Sequence, residues 1–153
     1  MGIFGKKKVI EESENARPKI IKLAETMVGD QPLEDLGKIV GEGNTLLIFS
    51  GKRCAPCHMM EDMIERESEI AAQIKKYGLK LVKINDHESY FFDALNAYGA
   101  KPMQMSVPQV SAWHEGEFVG SFKTALTHKG MYMKQMKDWY NIFSADDTTL
   151  FKE

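Results

Sequence analysis

Residues 44–60 read "NTLLIFSGKRCAPCHMM", and they hold both cysteines of the chain. The stretch opens on an unbroken apolar run, residues 44–50, of the kind a buried strand requires. It passes through Gly51, Lys52 and Arg53 into Cys54-Ala55-Pro56-Cys57, and an amphipathic helical pattern follows. Pro56 suits the first helical turn, where its missing N–H leaves nothing unsatisfied. A Cys-X-X-Cys pair at the joint of strand and helix points to redox chemistry. Cys54 lies at the positive end of the helix dipole, directly after Lys52 and Arg53. Both effects favour thiolate over thiol, so the Cys54 pKa is expected to be lowered. Cys57, one turn in, should be more buried and less reactive. Cys54 is therefore the expected nucleophile towards a substrate disulfide, and Cys57 the thiol that resolves the mixed disulfide.

Three other readings compete. With His58 the motif becomes Cys-X-X-Cys-His, a covalent haem pattern. That reading wants an export signal and a mostly helical fold, and an apolar strand feeds this motif instead. A zinc site needs four ligands. Only His58, His87, His114 and His128 remain to supply them, at no recognisable spacing. Two inert core cysteines would need no strand–helix context. No metal and no cofactor is expected within the chain.

Outward from the motif, the pattern after Cys57 reads as one long helix. Met60, Met63, Ile64, Ala71 and Ile74 fall on one face, with Glu61, Asp62, Glu65, Arg66 and Glu69 largely off it. Residues 79–85 read as a strand and 89–99 as a short helix closed by Gly99. Residues 108–122 read as two strands turning at Glu115-Gly116, and 127–143 as a final amphipathic helix. Upstream, Pro32 starts a helix with Leu33, Leu36, Ile39 and Val40 on its apolar face. Ile20, Ile21, Ala24, Met27 and Val28 are spaced for a helical extension over 18–31, although a short strand over 19–23 is the alternative. Residues 1–17 read as a flexible charged arm and 145–153 as a polar tail. The order strand, helix, strand, helix, hairpin, helix implies parallel strands with crossover helices and then an antiparallel pair.

The 153 residues suit one domain, and 43% hydrophobic with 27% charged residues is ordinary for a globular chain. The net charge of -2 gives no electrostatic case for nucleic acid. No apolar run approaches the ~20 residues that span a bilayer. Residues 1–18 lack the apolar core of a secretory signal, and Lys6 stands where a myristoylation motif needs Ser or Thr. Two cysteines are too few for a disulfide-stapled secreted scaffold. A cytoplasmic location and no membrane partner are expected.

From Pro32 to Phe143 the chain resembles the thioredoxin superfamily. "TLLIFSGKRCAPC" is similar to its strand and active-site loop, and "LKLVKIND" (79–86) to its next strand. "SVPQV" (106–110) looks like the segment of the family's cis-proline, and "ALTHKGMYMKQMKDWY" (125–140) like the last helix. The resemblance implies an α/β thioredoxin-like fold over 32–144, a central mixed β-sheet flanked by helices. It implies that Pro108 is cis beside the cysteines and that the Val107 backbone pairs with an extended substrate segment. The implied activity is reduction of protein disulfides, with electron transfer from a reductase or glutathione.

The departures are specific. Thioredoxins carry a buried acid six residues before the first cysteine, and this chain has Ile48 there, so proton removal from Cys57 must use water or another group. Lys83 aligns loosely with a lysine near the thioredoxin site. Arg53 replaces the usual tryptophan and is expected to tune the Cys54 thiolate. Residues 100–106, "AKPMQMS", are longer than usual, and Met103 and Met105 suit either an adaptable substrate rim or core filling. "SVPQV" also resembles the Val-Pro segment of glutaredoxins. Gly120-Ser121 and Lys123-Thr124 stand where those proteins hold glutathione with a Gly-Gly and an acidic pair. The alternatives are accordingly a glutathione-dependent reductase and a thioredoxin-fold adaptor with an incidental dithiol.

Overall fold

The structure, a computed structural model, describes residues 18–99, 107–122 and 127–146. The expected arm at 1–17, the segment 100–106 with Met103 and Met105, Lys123-Thr124, and residues 147–153 of the expected tail lie outside the described residues.

Five strands form one sheet in the order β1-β3-β2-β4-β5: β1 Ile21–Lys22, β2 Asn44–Ser50, β3 Leu79–Asn85, β4 Gln109–His114 and β5 Glu117–Phe122. The first three run parallel, and β4 and β5 pair antiparallel to β2 and to each other. The sheet is thus mixed, with β2 between β3 and β4. Glu115 and Gly116 both take positive φ, 48° and 84°, in the two-residue turn between β4 and β5. That twist matches the right-handed twist of the strands it joins.

Because side chains alternate along a strand, β2 feeds both faces of the sheet. Leu46 and Ile48 pack under helices α3 (Ala55–Arg66), α4 (Ser68–Tyr77) and α6 (Lys129–Asp146), among Met60, Ile64, Ile70, Tyr132, Met136 and Tyr140. Leu47 and Phe49 pack with helices α1 (Leu23–Thr26), α2 (Pro32–Val40) and α5 (Phe91–Tyr98), among Leu23, Leu36, Phe91 and Leu95. This is a three-layer α/β arrangement, with helices on both faces of the sheet.

Two elements differ from the sequence reading. Residues 18–31 do not form a helical extension apart from the domain. Ile21–Lys22 is an edge strand parallel to β3, and only Leu23–Thr26 is helical. The edge of β3 offers unpaired backbone groups that a helix over these residues would leave open. Leu23, 1% exposed, then anchors the segment in the core. The long helix after Cys57 is two helices, interrupted at Glu67 with ψ 119°. Met63 and Ile70 are seven residues apart and stay in register across the break, so periodicity does not reveal it. Lys129 at the start of α6 reaches both carboxylates there, 3.8 Å from Glu67 and 3.4 Å from Glu69.

Candidate functional site

The carboxyl end of β2 delivers the chain to the cysteines. Cys54 and Cys57 are joined as a disulfide, with Cα atoms 5.2 Å apart. Cys54 is the N-cap of α3, with extended backbone, and its sulfur accepts the Cys57 N–H at 3.2 Å. Pro56 contributes no donor in that first turn. Cys57 is 0% exposed and accepts the Gly51 N–H at 3.5 Å, whereas Cys54 is partly exposed. The two sulfurs of one disulfide therefore face different surroundings: one at the surface, one in the core.

Gly51 packs where three segments converge. A Cβ there would lie 3.0 Å from Val107 Cγ2, 3.1 Å from Asp86 Oδ2 and 3.2 Å from Cys54 Cβ. Any larger residue would crowd the loop, so glycine suits the position. The same distances put Val107 beside the cysteines, and Cys54 Sγ is 3.8 Å from the Val107 carbonyl oxygen. The Val107–Pro108 peptide bond is cis. Asp86, just past β3, accepts the Lys52 N–H at 3.2 Å and donates its own N–H to the Ser50 carbonyl at 2.9 Å, which ties the two loops together. Lys52, Arg53 and His58 are exposed around this rim, and His58 Nε2–H donates to the Lys52 carbonyl at 2.8 Å.

Beneath the rim lies a polar cluster that sequence reasoning missed. Glu61, placed off the apolar face by its charge, is 6% exposed. Its Oε2 accepts the Ser50 hydroxyl at 2.6 Å, and its Oε1 is 2.6 Å from Lys83 Nζ. Ser50 is 1% exposed. Lys83 is largely enclosed with Glu61. The signal was available: positions 57, 60, 61 and 64 form one helical stripe, all four buried, and Glu61 occupies it where an apolar residue is expected. Lys83 pairs with Ile48 in the β2–β3 register. A carboxylate thus reaches the level of Ile48 from the helix layer above rather than from β2 itself.

Among the described residues, no group of three His, Cys, Asp or Glu is placed to hold a metal ion, and no helix is long and apolar enough to cross a membrane.

No family model matches the chain, and no curated protein matches it by sequence. Solved structures do. A thioredoxin from Trypanosoma brucei brucei is 19% identical with a TM-score of 0.56, over 80% of this chain and 91% of that one. An oxidised thioredoxin from Plasmodium falciparum is 15% identical with a TM-score of 0.55, over 80% and 99%. Oxidised mitochondrial thioredoxin 3 from Saccharomyces cerevisiae is 19% identical with a TM-score of 0.50, over 82% and 98%. Identities this low speak to architecture alone. Together with the mixed five-stranded sheet, they show that the chain has the thioredoxin fold.

Proposed function

We propose that the protein is a thiol–disulfide oxidoreductase that reduces protein disulfides in the cytoplasm. The observation that carries this reading is the asymmetry of one closed disulfide, with Cys54 at the surface end of α3 and Cys57 fully buried. Attack needs an accessible thiolate, and resolution needs a second thiol shielded from competing partners. In the reduced protein the Cys54 thiolate attacks a substrate disulfide, forming a mixed disulfide and releasing one substrate thiolate. Cys57 then attacks Cys54 Sγ, closes the intramolecular bond and releases the second. Two electrons pass from the dithiol to the substrate, and a reductase or glutathione restores them.

Val107 and Pro108 would bound the substrate groove. The Val107 carbonyl lies 3.8 Å from Cys54 Sγ, which supports a role in pairing with an extended substrate segment as one strand pairs with another. Arg53 adds positive charge next to the Cys54 thiolate.

Turnover on a protein disulfide tests the proposal, with thioredoxin reductase and NADPH in one arm and glutathione with its reductase in the other. Turnover in at least one arm, lost in Cys54→Ser, is expected. No turnover in either arm contradicts it, and a cellular function that survives replacement of both cysteines by serine would favour the adaptor.

A further inference from the structure

We propose that Glu61 is the proton acceptor for Cys57 during the resolving step. The inference rests on the dithiol reading above. Cys57 and Glu61 are four residues apart on α3, both buried, and so are neighbours on one face with Cβ atoms about 5–6 Å apart. That is a span which the longer glutamate side chain closes directly or through one water.

Each Glu61 oxygen already holds one partner, Ser50 on Oε2 and Lys83 on Oε1, and each keeps a second lone pair for a further donor. An ion pair this enclosed is a weak device for stability, since apolar residues of equal volume often do as well or better. The position is also a core position by its helical register. A charge there, one turn from a buried thiol that must ionise, has a chemical use that a packing role does not explain.

The step balances as follows. The mixed disulfide joins Cys54 Sγ to a substrate sulfur, and Cys57 is a neutral thiol. Cys57 gives its proton to the Glu61 carboxylate. The Cys57 thiolate then attacks Cys54 Sγ. The Cys54–Cys57 bond forms, the Cys54–substrate bond breaks, and the electron pair leaves on the substrate sulfur, which takes a proton from solvent. Glu61 passes its proton to water and returns to its pair with Lys83.

The other ionisable groups near the motif sit elsewhere. Asp86 approaches Gly51, whose N–H meets Cys57 Sγ, but it is exposed and its Oδ1 accepts the Lys52 N–H, while Lys52, Arg53 and His58 are exposed on the rim. Among the described residues, Glu61 and Lys83 form an enclosed charged pair, and Glu61 shares with Cys57 the buried face of α3.

Ellman's reagent separates the two chemical steps in the reduced protein. Attack by Cys54 releases one equivalent of thionitrobenzoate, and resolution by Cys57 releases the second. In Glu61→Gln the second phase should slow on the order of 10²-fold at neutral pH. The first phase should change less than about twofold, since the acceptor serves only resolution. The deficit should close at alkaline pH, where Cys57 loses its proton to hydroxide. Glu61→Gln leaves Lys83 without its anion, so Glu61→Gln/Lys83→Met, which removes both charges, must show the same selective slowing. Equal slowing of both phases, an unchanged second phase, or recovery of the second phase in the double variant would overturn the proposal. Failure of the wild-type protein to release a second equivalent would strike the dithiol reading instead.

Discussion

At the start of β2, polar side chains mainly hold backbone, although Asn44 Oδ1 also meets His114 Nδ1 at 2.6 Å. Asn44 donates to the Tyr77 carbonyl at 2.8 Å, Lys80 donates to the Ile39 and Glu42 carbonyls at 2.6 Å each, and the Tyr140 hydroxyl donates to Thr45 O at 3.0 Å while accepting from the Trp113 N–H at 3.1 Å. At the end of β2, polar side chains hold one another. Ser50, Glu61 and Lys83 form a chain of side-chain contacts, with Glu61 one helical turn along α3 from Cys57. The first arrangement satisfies carbonyls that helix ends and loops would otherwise leave open, which is a structural role. The second satisfies nothing in the backbone and can exchange protons. Burial of polar groups alone does not separate structure from chemistry; the identity of the partner does.

The largest expected effect lies at the dithiol end. Cys54→Ser should abolish disulfide reduction, and Cys57→Ser should accumulate a mixed disulfide visible by mass spectrometry of the intact protein. At partly exposed Cys54 the serine should cost less than ~1 kcal/mol of stability in the reduced protein, and at buried Cys57, where it brings a hydroxyl into the core, about 1–3 kcal/mol. Large unfolding in either variant would blur the contrast between the two ends.

The opposite end should reveal itself through alkaline unfolding. Burial pushes the Tyr140 hydroxyl well above the ordinary tyrosine range, against a smaller opposing effect of its hydrogen bond to Trp113. Burial, and to a lesser degree Tyr140, does the same to Tyr132. Above pH ~10 the unfolded chain releases these protons and the folded one keeps them, so stability falls as pH rises past that point. Each tyrosine contributes a slope of up to about 1.4 kcal/mol per pH unit. Denaturant melts from pH 8 to 11 would show it, and Tyr132→Phe should flatten the curve. A flat curve in the unmodified protein would mean that this end opens to water.

Lys80→Met should cost about 1 kcal/mol of stability, a value reduced because Lys80 is partly exposed. The rates of both Ellman phases should stay unchanged. A change in those rates would join the two ends that the account keeps apart.

The smallest effect is expected for Arg53→Ala. The thiol of Cys54 should shift only slightly upward in pKa, since solvent and salt screen an exposed guanidinium. Iodoacetamide labelling against pH measures it, with Cys54 labelled before Cys57. A shift of a full unit would assign Arg53 a closer contact than the rim position suggests.

Much of this was legible in the chain. An apolar strand running into Cys-X-X-Cys and a helix is a local pattern, and local patterns survive folding. The β4–β5 turn at Glu115-Gly116 was legible for the same reason. The edge strand at Ile21–Lys22 was legible only as the alternative to a helix, because its pairing with β3 is a long-range contact that two residues, one of them β-branched, cannot announce. Glu61 was hidden differently. Its charge argued for the surface, while its register with Cys57, Met60 and Ile64 argued for the core, and register prevailed because Lys83 and Ser50 supply partners from two strands. Those partners are 22 and 11 residues away in sequence.

The central claim is that Cys54 and Cys57 form a working reductant, and the midpoint potential tests it most directly. Pro56 offers no N–H to the Cys54 sulfur, which leaves the Cys57 N–H as a donor to it in the first turn. A thiolate stabilised this modestly disfavours the reduced form and makes the couple more reducing. Equilibration in a series of glutathione buffers, read by thiol trapping, should give a potential between roughly -270 and -200 mV. A value near the roughly -120 mV of strong oxidants, or a disulfide that does not equilibrate at all, would contradict the account.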